Sequence, residues 1–403
     1  MITFALFMIR EIYCKLNSIS GNTLSIERIS DRIYSTAVKK LDLPDDERAF
    51  TNEILSEQQL CLPKAAKKLP SWTKNHCLFA SIPLEQCTSE SIAHAKASLF
   101  SGKNMLSLTG GLGVDDAAFS KKFEHITSLD PDKGLNAIAR FNNLQMGIIN
   151  ITRLDTTAED FLTTQNTQWD CIYADPDRRA GGKRIAANTA AYTPDIISLY
   201  RQFPNIAGQW IIKLSPMTDM SWFENQLGEA VSFCVFSEKS EVKELLAILG
   251  KQVQSGVSIV HCEGDKTQIF RTDDPIEFQK TETDVFCELS SACIKAGYRD
   301  LIMAQTGLTA LSRNGYYLTG KAVIPAALGR CFSLKHTLSG SLGQIGDALK
   351  ELEITQANVS AREFVLPAEE TRTKLKLKDG GTVYLFFTGK EKEKYCFVTE
   401  KLG

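Results

Sequence analysis

A glycine-rich turn near residue 110 separates an apolar segment from a segment with the pattern of an amphipathic helix. Residues 107–115 read Ser-Leu-Thr-Gly-Gly-Leu-Gly-Val-Asp. Glycines let a chain reverse from strand to helix, and they let backbone N–H groups approach a ligand without a Cβ in between. A second β-prone segment ends in Asp130, at about the 20-residue spacing of a βαβ unit. This spacing predicts an α/β fold with a parallel sheet.

The turn departs from the fingerprint of dinucleotide-binding proteins. That fingerprint has a third glycine where this chain has Asp116, directly after Asp115. Two carboxylates at the start of a helix oppose a pyrophosphate, which disfavours NAD and FAD. The turn instead favours a ligand with a cationic or neutral centre and a free ribose, such as S-adenosylmethionine. We assign cofactor binding to these residues of the turn: Thr109, Gly110, Gly111, Gly113 and Asp115. A glycine turn that binds nothing is the alternative.

Two further acids follow the next predicted strands. Asp130 ends the strand predicted over residues 125–130, and we expect it to accept hydrogen bonds from the ribose hydroxyls. It also suits the start of a helix near Pro131. The strand predicted over residues 148–152 leads to Asp155, which would accept from the exocyclic amine of adenine or simply form a turn. Both acids are therefore candidate cofactor ligands.

A polar motif follows the buried-strand pattern of residues 169–174. It reads Asp-Pro-Asp-Arg-Arg over residues 175–179, at the carboxyl end of a strand where open α/β sheets place their reacting groups. Enzymes that methylate a nitrogen of a planar base commonly have Asp-Pro-Pro-aromatic here, in which the acid and the next carbonyls orient the amine. We assign catalysis to Asp175, Pro176, Asp177 and Arg178, and the Arg178 plane would stack on the base. An ordinary surface loop is the alternative.

Basic residues lie near this motif. Arg179 and Lys183 would contact phosphate groups. Lys213 lies in the strand predicted over residues 210–214, where burying an unpaired ammonium is expensive. Lys213 would therefore pair with Asp175 or Asp177, or face the methyl acceptor. We assign these three basic residues to substrate binding.

Charge and cysteine content narrow the class of protein. A net charge of −2 and a pI near 6.3 give no overall attraction to nucleic acid, so RNA contacts would need local basic patches. Such patches occur at residues 64–68, 178–184 and 372–378, the last on a predicted strand. The 11 cysteines form no CxxC pair and lie apart from the 5 histidines. This argues against bound metal and for free thiols in a reducing cytoplasm.

Residues 2–9 are apolar, but they are too few to span a bilayer and lack the features of a signal peptide. We expect no membrane association, a cytoplasmic location, and a packed helix that begins there. The chain looks helical up to residue 92, and Pro63, Pro70 and Pro83 are expected to break the end of that region into short pieces. After Gly256 the pattern changes to paired strands and then to a small α+β module.

A series of ordered blocks carries a family resemblance. The blocks are residues 66–72 (Ala-Lys-Lys-Leu-Pro-Ser-Trp), 84–90 (Leu-Glu-Gln-Cys-Thr-Ser-Glu), 109–115, 175–179, 213–217 (Lys-Leu-Ser-Pro-Met), 243–246 (Lys-Glu-Leu-Leu), 295–297 (Lys-Ala-Gly) and 375–381 (Leu-Lys-Leu-Lys-Asp-Gly-Gly). From about residue 55 to its end, the chain resembles the bacterial class I S-adenosylmethionine-dependent methyltransferases that carry a C-terminal THUMP-like domain, a type common in Bacteroidetes.

The resemblance implies a domain order and a partner. After an N-terminal helical region over residues 1–92, it implies a Rossmann-like methyltransferase domain over residues 93–275. A ferredoxin-like segment over residues 283–326 and a THUMP-like domain over residues 329–403 would follow. THUMP modules elsewhere deliver tRNA or rRNA to modifying enzymes, so the family implies an RNA partner. It also places the segment with Gln86 and Ser89 across the cofactor, so both are candidate cofactor ligands.

The chain departs from the family at two positions. The family has an acid where this chain has Ser107, so a contact to the methionine ammonium is absent or is made by Asp115. The family loop usually reads Asp-Pro-Ala-Arg-Arg, so Asp177 adds a carboxylate beside the acceptor. Our leading hypothesis is a methyltransferase that acts on a nitrogen of a base in structured RNA, without a metal. The alternatives are a non-catalytic RNA-binding protein and a methyltransferase that acts on protein or a small molecule.

Overall fold

The structure, a computed structural model, describes residues 45–165, 167–177, 179–180, 183–184, 193–264, 266–311, 315–389 and 394–402. The packed helix expected to begin within residues 2–9 lies outside the described residues. The chain divides into two compact units: the first comprises Met1–Phe233, Glu244–Ser255 and Cys262–Thr267, and the second comprises Cys234–Lys243, Gly256–His261 and Gln268–Gly403. Helices alternate with parallel strands in the first unit, so the predicted α/β fold class is confirmed.

Within the described residues, four helices precede the first strand: α1 (Asp45–Lys68), α2 (Pro70–Lys74), α3 (Ser81–Gln86) and α4 (Glu90–Ala97). Pro70 begins α2, where a proline has no helical N–H bond to lose. The predicted break at Pro63 is wrong, because Pro63 lies inside α1. Cys61 and Ala65 are buried on either side of it, so packing of this face offsets the backbone hydrogen bond that proline removes.

The elements that follow are, in chain order, β1 (Gly102–Ser107), α5 (Val114–Phe119), β2 (Phe123–Leu129), α6 (Lys133–Gln145), β3 (Ile151–Leu154), α7 (Ala158–Thr164), β4 (Trp169–Ala174), β5 (Arg179–Ala180), β6 (Lys183–Arg184), α8 (Ile196–Gln202), β7 (Ala207–Leu214), α9 (Met220–Leu227), β8 (Ser232–Glu238), β9 (Glu241–Leu249), β10 (Gly256–Glu263) and β11 (Lys266–Arg271). Six strands lie side by side in the order β9, β7, β4, β1, β2, β3. Neighbours are parallel except β7 and β9, which are antiparallel. The carboxyl ends of β1, β2 and β4 therefore share one edge of the sheet.

The positions of β4 and β3 can be compared with the strands predicted from the sequence. The prediction of a buried strand over residues 169–174 matches β4, whose last four residues are buried. The predicted third strand at residues 148–152 begins later, at Ile151. The backbone N–H of Ile148 is bonded to the carbonyl of Asn143, and the Asn150 amide donates to backbone carbonyls of Ser120 and Phe123. The first bond ties Ile148 to α6, and the strand begins only after Asn150, whose carbonyl accepts from the N–H of Ile126 in β2.

The glycine turn connects β1 to α5 with two residues in the left-handed region. Gly111 has φ of +51° and Gly113 has φ of +87°, conformations that side chains rarely adopt. The backbone N–H of Gly110 donates to the carbonyl of Leu129 at 2.7 Å, which ties the turn to the end of β2. The predicted reversal from strand to helix is therefore present, and its glycines are required by backbone shape.

A buried arginine, Arg153, holds the glycine turn through a hydrogen bond. Arg153 on β3 is only 5% exposed, and its guanidinium donates to the carbonyl of Gly111 at 2.7 Å. The same group contacts Asp116 and Ser128, each at 3.1 Å, and its Nε donates to Asn136 at 2.8 Å. Each nitrogen of this buried cation thus has a partner, as a desolvated charge requires.

The second unit contains β12 (Gln279–Leu289), α10 (Ser291–Ala296), α11 (Arg299–Thr306), β13 (Thr309–Ala310), β14 (Tyr317–Val323), β15 (Gly329–Ser339), α12 (Leu342–Glu351), β16 (Asn358–Phe364), α13 (Ala368–Lys374), β17 (Val383–Gly389) and β18 (Tyr395–Lys401). Seven strands form one sheet in the order β13, β14, β12, β15, β18, β17, β16. An apolar cluster that includes Ile345 and Leu349 of α12 packs on β17 and β18. The domain boundaries named above stay predictions.

The predicted strand over residues 372–378 is wrong. Arg372 and Lys374 lie in the last turn of α13, and Lys376 follows with φ of +56°, which ends the regular backbone. Thr371 is fully buried in this helix and its hydroxyl donates to the carbonyl of Pro367. Alternating lysines resemble an exposed strand edge in sequence. The start of the segment instead belongs to a helix in which Thr371 is buried.

Replacement of Gly110 by alanine should destabilise the protein by about 1–3 kcal/mol, a typical cost of overpacking. An added Cβ would lie 2.5 Å from the Ser128 hydroxyl and 2.5 Å from the Arg153 guanidinium, both of which are held in place. Urea unfolding measures the change. Gly256→Ala is the matched control, because its added Cβ meets nothing within 4 Å. Equal unfolding free energies for the two variants would contradict the packing argument.

Candidate functional site

A cleft of about 990 Å³ lies in the first unit, at the carboxyl ends of β1, β2 and β4. The structure brings most predicted site residues together in its lining: Gln86, Thr109, Gly110, Gly111, Gly113, Asp115, Asp130, Asp175, Pro176, Asp177 and Lys213. Arg178 lies outside the described residues. Arg179 and Lys183 are described only as backbone, in the hairpin of β5 and β6. The roles assigned to all of these residues stay predictions.

Two predicted cofactor ligands do not line the cleft. Ser89 precedes α4, and its hydroxyl lies 3.2 Å from that of Ser91. Asp155 accepts hydrogen bonds from the Asn136 amide and the Arg140 guanidinium, both at 2.8 Å. At this side the cleft is lined by the start of α7, residues 157–159. A contact from Asp155 to adenine would require this pair with Arg140 to be shared or broken.

Asp130 is held in place by backbone amides. Its carboxylate accepts from the N–H of Gly111 at 2.8 Å and from the N–H of Asp132 at 2.9 Å. Burial raises the pKa of this carboxyl, while these two amides oppose the shift. Asp130 is not the cap of α6, because Asp132 accepts from the first amides of that helix. Its carboxylate is therefore joined to the glycine turn and is available at the cleft.

The two acids at the start of α5 have different surroundings. Asp116 is 2% exposed and lies 3.1 Å from the Arg153 guanidinium, so its charge is compensated inside the protein. Asp115 belongs to a different set of charges at the cleft wall. The expected pair of acids at the helix start is therefore present, and the two acids pair with different cations, Asp116 with Arg153 and Asp115 with Lys96.

A chain of five side chains with alternating charge, here called the charge chain, runs along the cleft wall. Its members in order are Asp115, Lys96, Glu244, Lys213 and Asp175. The Lys96 ammonium lies 2.9 Å from Asp115 and 2.7 Å from Glu244. The Lys213 ammonium lies 3.4 Å from Glu244 and 2.6 Å from Asp175. The chain thus joins the glycine turn to the Asp-Pro motif.

Two hydroxyl groups complete the charge chain. Thr88 donates to Glu244 at 2.5 Å and accepts from the Lys213 ammonium at 3.1 Å. The Tyr173 hydroxyl donates to the free oxygen of Asp115 at 2.6 Å. Lys96 is fully buried, and besides the two carboxylates its ammonium donates to the Tyr173 hydroxyl at 3.2 Å, so it has the partners that a desolvated charge requires.

The charge chain contains three carboxylates and two ammonium groups, so it carries one net negative charge. Burial favours the neutral form of Asp115, but Lys96 and Lys213 lower the pKa of this carboxyl to about 2. Burial alone would also lower the pKa of the Lys213 ammonium, but Asp175 and Glu244 raise it above its ordinary value. Both groups therefore stay charged at neutral pH, and the surplus negative charge favours a cationic ligand.

Asp175 is held at the acceptor end of this chain. One of its carboxylate oxygens accepts from Lys213, and its backbone N–H donates to the Thr109 hydroxyl at 2.6 Å. The predicted pairing of Lys213 with Asp175 is therefore present, whereas Lys213 makes no described bond to Asp177. Asp177 instead pairs through its backbone with Thr193, and its side chain is exposed.

Sequence reasoning missed four residues of the site: Thr88, Lys96, Tyr173 and Glu244. Thr88 and Glu244 lie within two of the blocks that carry the family resemblance. The sequence therefore marked both positions but assigned neither of them a role. Lys96 gave no signal, because a single lysine in a helix usually lies on the solvated face. Its partners are brought to it only by folding.

The chain is similar in sequence and in fold to known proteins. Residues 329–401 match the family model described as THUMP domain-like. Two curated relatives from two strains of Mycobacterium tuberculosis are each 24% identical over 335 residues, which is 80% of this chain and 89% of theirs. Both are named as uncharacterized S-adenosylmethionine-dependent methyltransferases. A crystal structure of a candidate methyltransferase from Porphyromonas gingivalis is 24% identical, covers 98% of both chains and has a TM-score of 0.74.

The chain is related to the S-adenosylmethionine-dependent methyltransferases and carries a C-terminal THUMP-like domain. The family resemblance predicted from the sequence is confirmed, and so is S-adenosylmethionine as the cofactor of that family. The fold is that of the Porphyromonas protein over nearly its whole length.

Two features of the described residues concern membrane spans and metal sites. In that part of the chain, no helix is both long and apolar enough to cross a membrane. The same part contains no cluster of three or more His, Cys, Asp or Glu side chains arranged to hold a metal ion.

Replacement of Asp115 by asparagine should lower stability in a pH-dependent way. The pKa of Asp115 is about 2 in the folded protein, below its ordinary value of 3.8, so this group stabilises the fold above pH 4. The stabilisation should disappear as the pH falls from about 4 to about 2, and this pH-dependent part should amount to about 2 kcal/mol. Urea unfolding of wild type and Asp115→Asn across this range measures the difference. Asp347→Asn, at an exposed site, is the control; a difference that does not change with pH would contradict the pairing.

Proposed function

We propose that this protein transfers a methyl group from S-adenosylmethionine to a nitrogen of a base in structured RNA, such as a tRNA or rRNA. The observation that carries the proposal is the position of Asp175 and Pro176. They follow β4 at the edge of the cleft, and the glycine turn lines the same cleft. A donor and an acceptor bound there would be neighbours, which is the main requirement for methyl transfer.

The cleft has groups that suit each part of the cofactor. Asp130 would bind the ribose hydroxyls, since its carboxylate is fixed by two amides beside the turn. The left-handed glycines leave space for a ligand against the backbone, because an added Cβ at Gly111 would meet nothing within 4 Å. The surplus negative charge of the charge chain would attract the ammonium or sulfonium group near Asp115. The same charge opposes a pyrophosphate.

The chemistry needs orientation and exclusion of water. S-adenosylmethionine, when bound, supplies an electrophilic methyl group on a sulfonium. One oxygen of Asp175 is occupied by Lys213, and the other would accept an N–H of the acceptor amine together with the Pro176 carbonyl. These contacts aim the nitrogen lone pair at the methyl group. Catalysis would come mainly from proximity and desolvation, without a metal.

Features of the THUMP-like domain support an RNA acceptor. The Arg330 guanidinium lies 5.8 Å from the centre of the Phe332 ring, and the Lys401 ammonium lies 5.8 Å from the centre of the Tyr384 ring. Phe332 and Lys401 are directly opposite each other on β15 and β18, so these groups share one face of the sheet. The Phe332 ring is only 4% exposed and Arg330 also pairs with Glu288, so it is the exposed cationic groups of this face that suit RNA phosphates. This local patch of cations would attract RNA, which the overall negative charge of the protein does not.

Replacement of Asp175 by asparagine should lower methyl transfer by at least about 100-fold, because the acceptor would lose its orientation. The amide oxygen would face Lys213, and the amide NH₂ would be presented to the acceptor, where it cannot accept a hydrogen bond. The dissociation constant of S-adenosylmethionine, measured by calorimetry, should rise by less than about 10-fold, because the substitution removes one negative charge from the charge chain but leaves Asp115 and Asp130 in place. Asp160→Asn, on the exposed face of α7, is the matched control. Preserved turnover in Asp175→Asn would contradict the assignment.

The acceptor itself is found by mass spectrometry of nucleosides from tRNA and rRNA of cells with and without this gene. One methylated nucleoside should be missing without the gene, and the purified protein should restore it. No heat of binding at millimolar S-adenosylmethionine would favour a non-catalytic RNA-binding protein. Methylation of protein or a small molecule with no label in RNA would favour another acceptor class.

The double substitution Arg330→Ala and Lys401→Ala should weaken binding to total tRNA by about 10-fold and reduce the salt dependence by about two phosphate contacts. Fluorescence anisotropy at several salt concentrations measures both quantities. The control is the removal of two exposed cations on helices of the same domain, Lys350→Ala and Lys374→Ala. Equal losses in the two double variants would show that the aromatic face has no special role.

A further inference from the structure

We propose that Lys213 is a positioning residue of the acceptor site: its ammonium occupies one oxygen of the Asp175 carboxylate and thereby directs the other oxygen at the acceptor nitrogen. This inference rests on the proposed function, and it replaces the expectation that Lys213 contacts the substrate. Only 6% of the Lys213 side chain is exposed, whereas 32% of the Asp175 side chain is exposed. The lysine therefore has little surface to offer to a large acceptor.

The geometry around Lys213 is that of a fully engaged ammonium. Its Nζ donates to Asp175 at 2.6 Å and to the Thr88 hydroxyl at 3.1 Å, and it lies 3.4 Å from Glu244. An ammonium has three protons and no further donor capacity. A substrate phosphate or carbonyl would have to displace one of these buried partners, at the cost of leaving a charge unpaired.

The consequence for Asp175 is a fixed orientation. A free carboxylate turns about its last bond and presents either oxygen, but a short ion pair to one oxygen holds the plane. Asp175 also has its backbone N–H bonded to Thr109, so both ends of the residue are fixed. Reacting groups that are held in this way avoid the loss of rate that misplacement causes.

Glu244 and Lys96 hold Lys213 in turn. Glu244 comes from β9, which pairs antiparallel with β7, and Lys213 and Leu246 are opposite each other in that register. The carboxylate of Glu244 lies between the two ammonium groups, with Lys96 at 2.7 Å. Glu244 would therefore act on Asp175 through Lys213, without touching either substrate.

The test compares Lys213→Met, Lys213→Arg and the control Lys243→Met, whose lysine pairs with Glu241 on the exposed side of β9. In Lys213→Met, kcat for RNA methylation should fall by about 100-fold while the dissociation constant of S-adenosylmethionine does not rise, because the charge chain becomes more negative. Lys213→Arg should recover a large part of kcat, because arginine restores the charge beside Asp175. The control should match wild type.

A second readout does not depend on RNA. Carboxyl-carbon NMR of protein labelled at aspartate gives the pKa of Asp175 directly. Five titratable groups face this carboxylate or belong to the same charge chain: Lys213, Glu244, Asp115, Lys96 and Tyr173. Of these, only Lys213 is a cation in direct contact, so its removal should raise the Asp175 pKa. The acid limb of the pH–rate profile should move to higher pH by the same amount.

Each outcome bears on the proposal. Wild-type kcat in Lys213→Met, or an unchanged Asp175 pKa, overturns it. Loss of kcat, cofactor affinity and unfolding free energy together, without rescue by arginine, assigns Lys213 a purely structural role and also overturns it. If Lys213→Met does not fold, Glu244→Gln carries the test with Glu241→Gln as its control, and a lower kcat with retained cofactor affinity is expected. If wild type methylates no RNA, the proposed function fails, and the NMR shift still decides the role of Lys213.

Discussion

Compensation of buried charge is the constraint on which the cleft of the first unit depends. Lys96 is fully buried and Lys213 nearly so, and neither could leave water without carboxylates beside it. Glu244 serves both, while Asp115 and Asp175 close the two ends of the charge chain. These residues come from α4, α5, β7, β9 and the end of β4, so one set of ion pairs joins five parts of the unit around the cleft.

A third buried cation, Arg153, holds the glycine turn. Arg153 neutralises Asp116 and bonds to the carbonyl of Gly111, so the turn is held by an interaction that never reaches the ligand. The two adjacent acids, Asp115 and Asp116, therefore have different partners. Asp116 serves the fold, and Asp115 contributes to the surplus negative charge at the cleft. A parallel sheet of this kind can bind many nucleotides, and it is this surplus charge that favours a sulfonium over a pyrophosphate.

The sequence predicted local features well because local physics determines them. Apolar residues followed by Asp175 and Pro176 predicted β4, and the glycines near residue 110 predicted the turn from β1 to α5. Errors arose where a distant contact decided the backbone. Residues 148–150 have the composition of a strand, but Ile148 is bonded to Asn143 of α6, and Pro63 is tolerated where its neighbours are buried. Buried Thr371 likewise makes a helix of a segment with the pattern of an edge strand.

The sequence by itself determined the glycine turn, the acids at the ends of successive strands and the family to which the chain is related. Those properties depend on residues close together in the chain, where steric limits and side-chain type are sufficient. Only the tertiary structure decided which charges meet. Thr88 and Glu244 are 156 residues apart in the chain yet form one hydrogen bond, and Lys213 selects Asp175 and not Asp177. Such pairing depends on distance and desolvation, and both exist only once the strands are side by side.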